Sequence, residues 1–194
     1  MSDHATLAAA WRHRDAADGF EVLFLEASPD GGRRLTGHVA AVEDGVARAV
    51  RYEIEVDAAW RTRRARIRTR TLHATADITV EADGEGRWRV DGAPAPALDG
   101  CLDVDLESSA LTNAFPVHRL RLGRGQEADA PAAYVRALDL GVERLEQHYV
   151  RMADDDAGRG RYGYRAPAFD FACRLHYDAA GLVLDYPGIA VRVA

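Results

Sequence analysis

The sequence predicts an all-β domain, a long antiparallel sheet rolled around a short helical segment. Three observations carry that prediction. Apolar and polar residues alternate along most of the 194 residues, turn signals recur at short intervals, and a single segment breaks the alternation.

The elements follow in chain order. Phe20 to Leu25 is apolar at both parities, which predicts a strand covered on two sides. Val50, Tyr52, Ile54 and Val56 alternate with Arg51, Glu53 and Glu55, the pattern of a strand with one buried face. Glu107-Ser108-Ser109-Ala110-Leu111-Thr112-Asn113-Ala114 lacks alternation, opens with helix-capping residue types and stops before Pro116, so it is the expected short helix. After it, Arg119 and Arg121 are expected on one face of a strand. Phe169, Phe171, Cys173, Leu175 and Tyr177 alternate with polar neighbours in a late strand. Between the runs stand Asp30-Gly31-Gly32, Glu43-Asp44-Gly45, Asp83-Gly84-Glu85-Gly86, Asp91-Gly92, Asp178-Ala179-Ala180-Gly181 and Tyr186-Pro187-Gly188. Such pairs supply the positive-φ positions of tight hairpins. Counted run by run, the chain holds about fifteen short strands. Gly123–Ala130 and Ala153–Gly160 read as exposed loops. No second domain, repeat or long linker is visible, so residues 1–194 are expected to form one domain.

Composition bounds the function. Hydrophobic residues at 47% and charged residues at 29% are those of a globular chain. A net charge of −6 argues against a general nucleic-acid surface. All 25 basic residues are arginine, which excludes lysine Schiff-base chemistry and a P-loop lysine. Cys101 and Cys173 form no CxxC motif and read as buried free thiols, a lone disulfide being the alternative. Met1 to Trp11 shows no signal-peptide pattern, and no stretch approaches the ~18 apolar residues of a membrane span, so a cytoplasmic location is expected.

Few residues carry chemistry. Arg64, Arg66, Arg68 and Arg70 fall on one strand face, a ladder for anions or, more simply, a row paired with Glu53, Glu55, Asp77 and Glu81. Asp103 and Asp105 share a face with Cys101, and two carboxylates so placed either divide acid and base roles or pair with arginines. Tyr162 and Tyr164 share a face, as do Gln147 and Tyr149; such pairs line a pocket or pack a sheet. The seven histidines form no HExxH or HxH spacing, G-x-S-x-G is absent, and Asp154-Asp155-Asp156 is a solvated loop rather than an EF-hand. No metal, cofactor or catalytic motif emerges.

Several segments, taken in order, resemble the glycolipid-binding family, long classed as a domain of unknown function. They are Asp57-Ala58-Ala59-Trp60-Arg61-Thr62-Arg63, Trp88-Arg89-Val90-Asp91-Gly92 and Gly100-Cys101-Leu102-Asp103-Val104-Asp105-Leu106. Leu111-Thr112-Asn113-Ala114-Phe115-Pro116-Val117-His118-Arg119-Leu120, Gln147-His148-Tyr149 and Gly181-Leu182-Val183-Leu184-Asp185-Tyr186-Pro187-Gly188 complete the set. The resemblance runs from about Trp11 to the C-terminus. It implies a spiral β-roll of about fifteen strands around one helix, a homodimer, and a carrier role for a glycolipid or other amphiphile. Ser109-Ala110-Leu111 and His118 depart from the family pattern, which has Thr-Pro-Phe and an arginine there.

Three functions are therefore weighed. The first is a non-catalytic amphiphile-binding protein whose site draws on Trp60, Arg61, Arg63, Asn113, Arg119, Gln147 and Tyr149. The second is a structural or interaction protein acting through its dimer surface. The third is a small-molecule enzyme using Asp103, Asp105 and His118.

Overall fold

The fold, described from a computed structural model for residues 6–15 and 17–194, is dominated by one antiparallel sheet of fourteen strands. Its first half is a meander. Strands β1 (Leu7–His13), β2 (Asp18–Ala27), β3 (Arg33–Glu43) and β4 (Val46–Val56) are followed by β5 (Thr62–Arg70), β6 (Thr75–Ala82), β7 (Trp88–Val90) and β8 (Ala93–Pro94). Three further strands, β9 (Asp103–Leu106), β11 (Ala132–Val135) and β12 (Val142–Leu145), form a separate small sheet. The large sheet resumes with β10 (Glu127–Asp129), β13 (His148–Arg151), β14 (Gly160–Ala166), β15 (Phe171–Tyr177), β16 (Val183–Tyr186) and β17 (Ala190–Arg192). β1 pairs with β17, with Trp11 opposite Arg192 and His13 opposite Ala190, and this pairing joins the two halves into a spiral roll.

The expected roll is present, with a single α-helix among the described residues. The small sheet refines the expectation: β9 and β11 run parallel, and the crossover between them contains the helix. Every residue of β9 and β11 is buried, as strands inside a roll must be. Thr62 fastens this inner sheet to the outer one: its N–H donates to the Leu102 carbonyl (2.9 Å) and its Oγ1 accepts from the Val104 N–H (2.9 Å).

Five expectations are corrected. The helix α1 spans Ala114–Leu120, after a 3-10 turn at Leu111–Asn113, so it begins where it was expected to stop. Pro116 falls in the first turn, where its missing N–H has no intrahelical partner to lose. Arg119 therefore lies in the last helical turn and Arg121 at the left-handed cap (φ 49°), not on a strand. The strand expected from Phe169 begins at Phe171, because Pro167–Phe169 is a 3-10 turn. Finally, β2 is covered on one face only: Leu23 is fully buried, but Phe20 and Phe24 are 54% and 48% exposed on the outer side. β10 lies inside the stretch Gly123–Ala130, which is too polar to read as a strand.

Asp44-Gly45 and Asp91-Gly92 turn their hairpins with φ of 49° and 77°, and 48° and 79°, the two consecutive positive values of a tight two-residue turn. The arginine ladder is paired across strands as the plainer reading holds: Arg64 to Glu55 (2.7 Å), Arg66 to Glu53 (3.2 Å) and Arg68 to Asp77 (3.6 Å). Such exposed pairs contribute about 0–1 kcal/mol each.

The inward face of the outer sheet is apolar except at a few positions. Glu21 on β2 is fully buried, and Tyr52 on β4 donates to its Oε1 at 2.7 Å. The Tyr52 ring reaches it across Gly37 on β3, where a Cβ would lie 2.1 Å from Tyr52 Cζ. Gly37→Ala is expected to displace that ring and cost about 2 kcal/mol, read as a lower urea midpoint; an unchanged midpoint would refute the close approach.

Candidate functional site

Three buried carboxylates and a set of tyrosines hold the segment around α1 inside the roll. Glu21 accepts from the Ser109 hydroxyl and, at 2.8 Å, from the Ala110 N–H, so it grips the turn that leads into α1. Asp103 takes a two-pronged bond from Arg119, with Nε to Oδ1 at 3.0 Å and Nη2 to Oδ2 at 2.5 Å. Asp105 accepts from Thr112 Oγ1 (2.6 Å) and Gln147 Nε2 (2.6 Å), and the same Gln147 amide donates to Tyr164 (3.0 Å). Asn113 accepts from the Tyr149 hydroxyl at its side chain (2.8 Å) and from Tyr177 at its backbone carbonyl (3.1 Å).

Burial pushes all three carboxyls above the usual carboxylate range, and their hydrogen bonds pull partly the other way. Burial also raises the Tyr149, Tyr164 and Tyr177 hydroxyls, which stay protonated; Tyr149 and Tyr177 donate to Asn113, and Tyr164 accepts from Gln147. The two cysteines are free; burial pushes Cys101 up to about 11 and Cys173 up to about 12, so neither is a ready nucleophile.

Above this network lies a cavity of about 410 Å3, within the size range of small-molecule sites. One wall is aromatic: Tyr164, Phe171 and Tyr186 meet with ring centroids 6.0–6.2 Å apart, and Tyr134 packs on Phe169 at 5.4 Å. The other wall is polar, with Asp105, Ser109 and Asn113 toward the network and His13, Glu43 and Arg48 at the end of the sheet. Exposed Glu107 and Phe169, the latter 53% exposed, mark its rim.

The seven expected site residues divide. Asn113 lines the cavity, and Gln147 and Tyr149 stand directly behind its wall through their bonds to Asp105, Tyr164 and Asn113. Arg119 is occupied by Asp103. Trp60 is buried at another part of the roll, stacked on His118 with centroids 3.7 Å apart and planes at 2°, beneath the Arg33 guanidinium. Its φ of 64° is a left-handed value that a bulky residue rarely adopts, offset by burial against Phe115 and His118. Arg61 donates to the Gly84 carbonyl (3.0 Å), and Arg63 lines a shallow groove with Arg34 and Glu55.

His118 is not joined to Asp103 and Asp105. Its charged neighbours are Arg33, Asp178 and Arg121, and burial, then Arg33, lower its pKa to about 4. Gly181 must be glycine here, since a Cβ would sit 2.5 Å from His118 Nε2. Among the described residues no group of three or more His, Cys, Asp or Glu side chains is placed to hold a metal.

Sequence reasoning missed His13, Arg48 and most of the aromatic wall. A signal existed for Arg48, which continues the inward parity of Val50, Tyr52, Ile54 and Val56 as a charge on an apolar face. For the aromatic wall the shared face of Tyr162 and Tyr164 and the alternation through Phe171 were partial signals, while Tyr134 on β11 and Tyr186 on β16 had none.

The fold and cavity together define a spiral β-roll with an amphiphilic chamber between sheet and core. The chain belongs to the family described as "Putative glycolipid-binding", which it matches over residues 8–192. It is similar to a crystal structure of a DUF1089 family protein from Pseudomonas aeruginosa, at 32% identity and a TM-score of 0.75 over 89% of this chain and 91% of that one. It also shares its fold with a β-barrel-like protein of domain of unknown function DUF1849 from Brucella abortus, at 9% identity and a TM-score of 0.51 over 96% and 93% of the two chains. No curated protein matches the chain.

The buried acids and His118 impose opposite pH dependences. Glu21, Asp103 and Asp105 hold protons more tightly folded than unfolded, so stability falls as pH rises from the ordinary carboxylate range through their raised values. His118 contributes above pH 6.5, and that contribution is lost as pH falls toward 4. In Glu21→Gln, the difference in urea-unfolding free energy between pH 5 and pH 8 is expected to shift toward greater relative stability at pH 8. An unshifted difference would refute the role of Glu21. By NMR, His118 should titrate at about 4 and higher in Arg33→Met; a normal value in the unaltered protein would contradict the burial.

Proposed function

We propose that the protein binds a small amphiphile, without catalysis, in the cavity between the aromatic wall and the polar network. The cavity itself carries the reading: about 410 Å3 with an apolar side that suits an alkyl tail and a polar side that suits a head group. The family description supports the same ligand class. A non-catalytic role is favoured because both oxygens of Asp103 and of Asp105 already accept structural hydrogen bonds. His118 packs on Trp60. We place the protein in a reducing, cytoplasmic compartment on the strength of its two free cysteines. No helix among the described residues is long and apolar enough to cross a membrane.

A second reading, homodimer formation, rests on the outer face of β2. Phe20, Val22 and Phe24 are exposed there, flanked by Ala8 and Ala10 on β1 and Ala40 on β3, an apolar stripe with exposed Arg12 beside its Phe20 end. A two-fold dimer would bury this apolar stripe against its own copy.

Two measurements test these readings. Leu145→Trp, which fills the cavity from β12, is expected to reduce calorimetric binding of n-octanol at least tenfold; undiminished binding would move the ligand elsewhere. In light-scattering chromatography the protein is expected at twice the chain mass and Val22→Asp at the chain mass. A monomeric unaltered protein would refute the dimer.

A further inference from the structure

The polar end of the cavity holds two groups that the network does not use. His13 and Arg48 are each only 6% exposed, both line the cavity, and His13 Nε2 and Arg48 Nε are buried without a hydrogen-bond partner. A buried polar nitrogen left unpaired costs about 1–3 kcal/mol, so two at one corner call for a partner from outside the chain.

The sheet brings them together. Register places Gly19 on β2 opposite Ala41 on β3, and Ala41 opposite Arg48 on β4; His13 lies one residue beyond the β1–β2 pair Arg12–Phe20. The row therefore reads His13, Gly19, Ala41, Arg48. A Cβ at Gly19 would lie 2.3 Å from the Ala40 carbonyl oxygen and 2.6 Å from the Ala41 Cβ, so β2 carries glycine here and the two middle positions of the row are small.

Charge narrows the partner. The Arg48 guanidinium is already paired with Glu43, and Asp105 and Glu107 line the same cavity, giving three carboxylates to one cation. Burial and the nearby Arg48 lower the His13 pKa, so its ring is neutral at pH 7 and adds no positive charge. An anionic head group would meet repulsion. A hydroxyl accepts from the Arg48 Nε–H, and a second hydroxyl bonds at His13 Nε2.

We propose that His13 and Arg48 form a head-group subsite for an uncharged, hydroxyl-rich group, a sugar or polyol, and disfavour phosphate and carboxylate heads. This rests on the cavity being the amphiphile site. The tail then lies along Tyr164, Phe171 and Tyr186.

Calorimetric titration of the full chain with n-octyl-β-D-glucoside, octyl phosphate and n-octanol tests it. The glucoside is expected to bind more tightly than the phosphate. His13→Phe and the double variant Glu43→Gln/Arg48→Met are expected to weaken the glucoside about tenfold each, and to weaken it more than they weaken n-octanol. Tighter binding of octyl phosphate overturns the subsite, and that comparison needs no variant. Variants that hold the glucoside as tightly as the unaltered protein overturn it while the cavity reading stands. Failure of the unaltered protein to bind n-octanol or the glucoside overturns the cavity reading, and the subsite with it.

Discussion

A sheet that curls onto itself encloses more volume than its own inward side chains fill, and that constraint shapes the rest of the molecule. The enclosed volume is taken by β9, the turn into α1, the start of α1 and β11, whose polar groups cannot all pair with the outer sheet. Buried carboxylates supply the missing acceptors. Glu21 holds the turn before α1, Asp103 holds the end of the helix through Arg119, and Asp105 holds the 3-10 turn and the loop before β13. Replacing one partner of such a contact leaves an uncompensated buried charge, which is why these groups are costly to remove even where they add little net stability.

The outer sheet accommodates this scheme by going small where a polar side chain must lean across it. Gly37 clears the way for Tyr52, and Gly19 with Ala41 opens the row between His13 and Arg48. The same parity rule that buries Val50, Tyr52 and Ile54 thus also delivers polar groups to chosen places inside.

Local physics made the strands and hairpins legible in the sequence. Alternation at Val50–Val56 and the Asp-Gly pairs at 44–45 and 91–92 describe contacts between near neighbours, and they reappear in the structure. The helix was displaced because Pro116 was read as a stop, although the first turn tolerates proline. The outer apolar row of β2 looked buried because parity shows which residues share a face but not whether that face has a cover. Asn113, Gln147 and Tyr149 follow from the resemblance and do meet near the cavity, whereas its aromatic wall comes mostly from the successive strands β14 to β16, whose alternation shows shared faces but not that a cavity lies against them.

The pairing of β1 with β17 has a consequence for how the chain reaches its native state. β1 is synthesised long before β17, so one of its edges stays unpaired while all the strands between them are made. Its other neighbour, β2, is available at once. The seam is therefore a late, long-range closure, in a topology whose remaining large-sheet contacts are mostly between successive strands. Until it forms, the open edge of β1 and the inner face behind Trp11 are exposed to other chains, so the interval before closure is when this fold is most prone to aggregate.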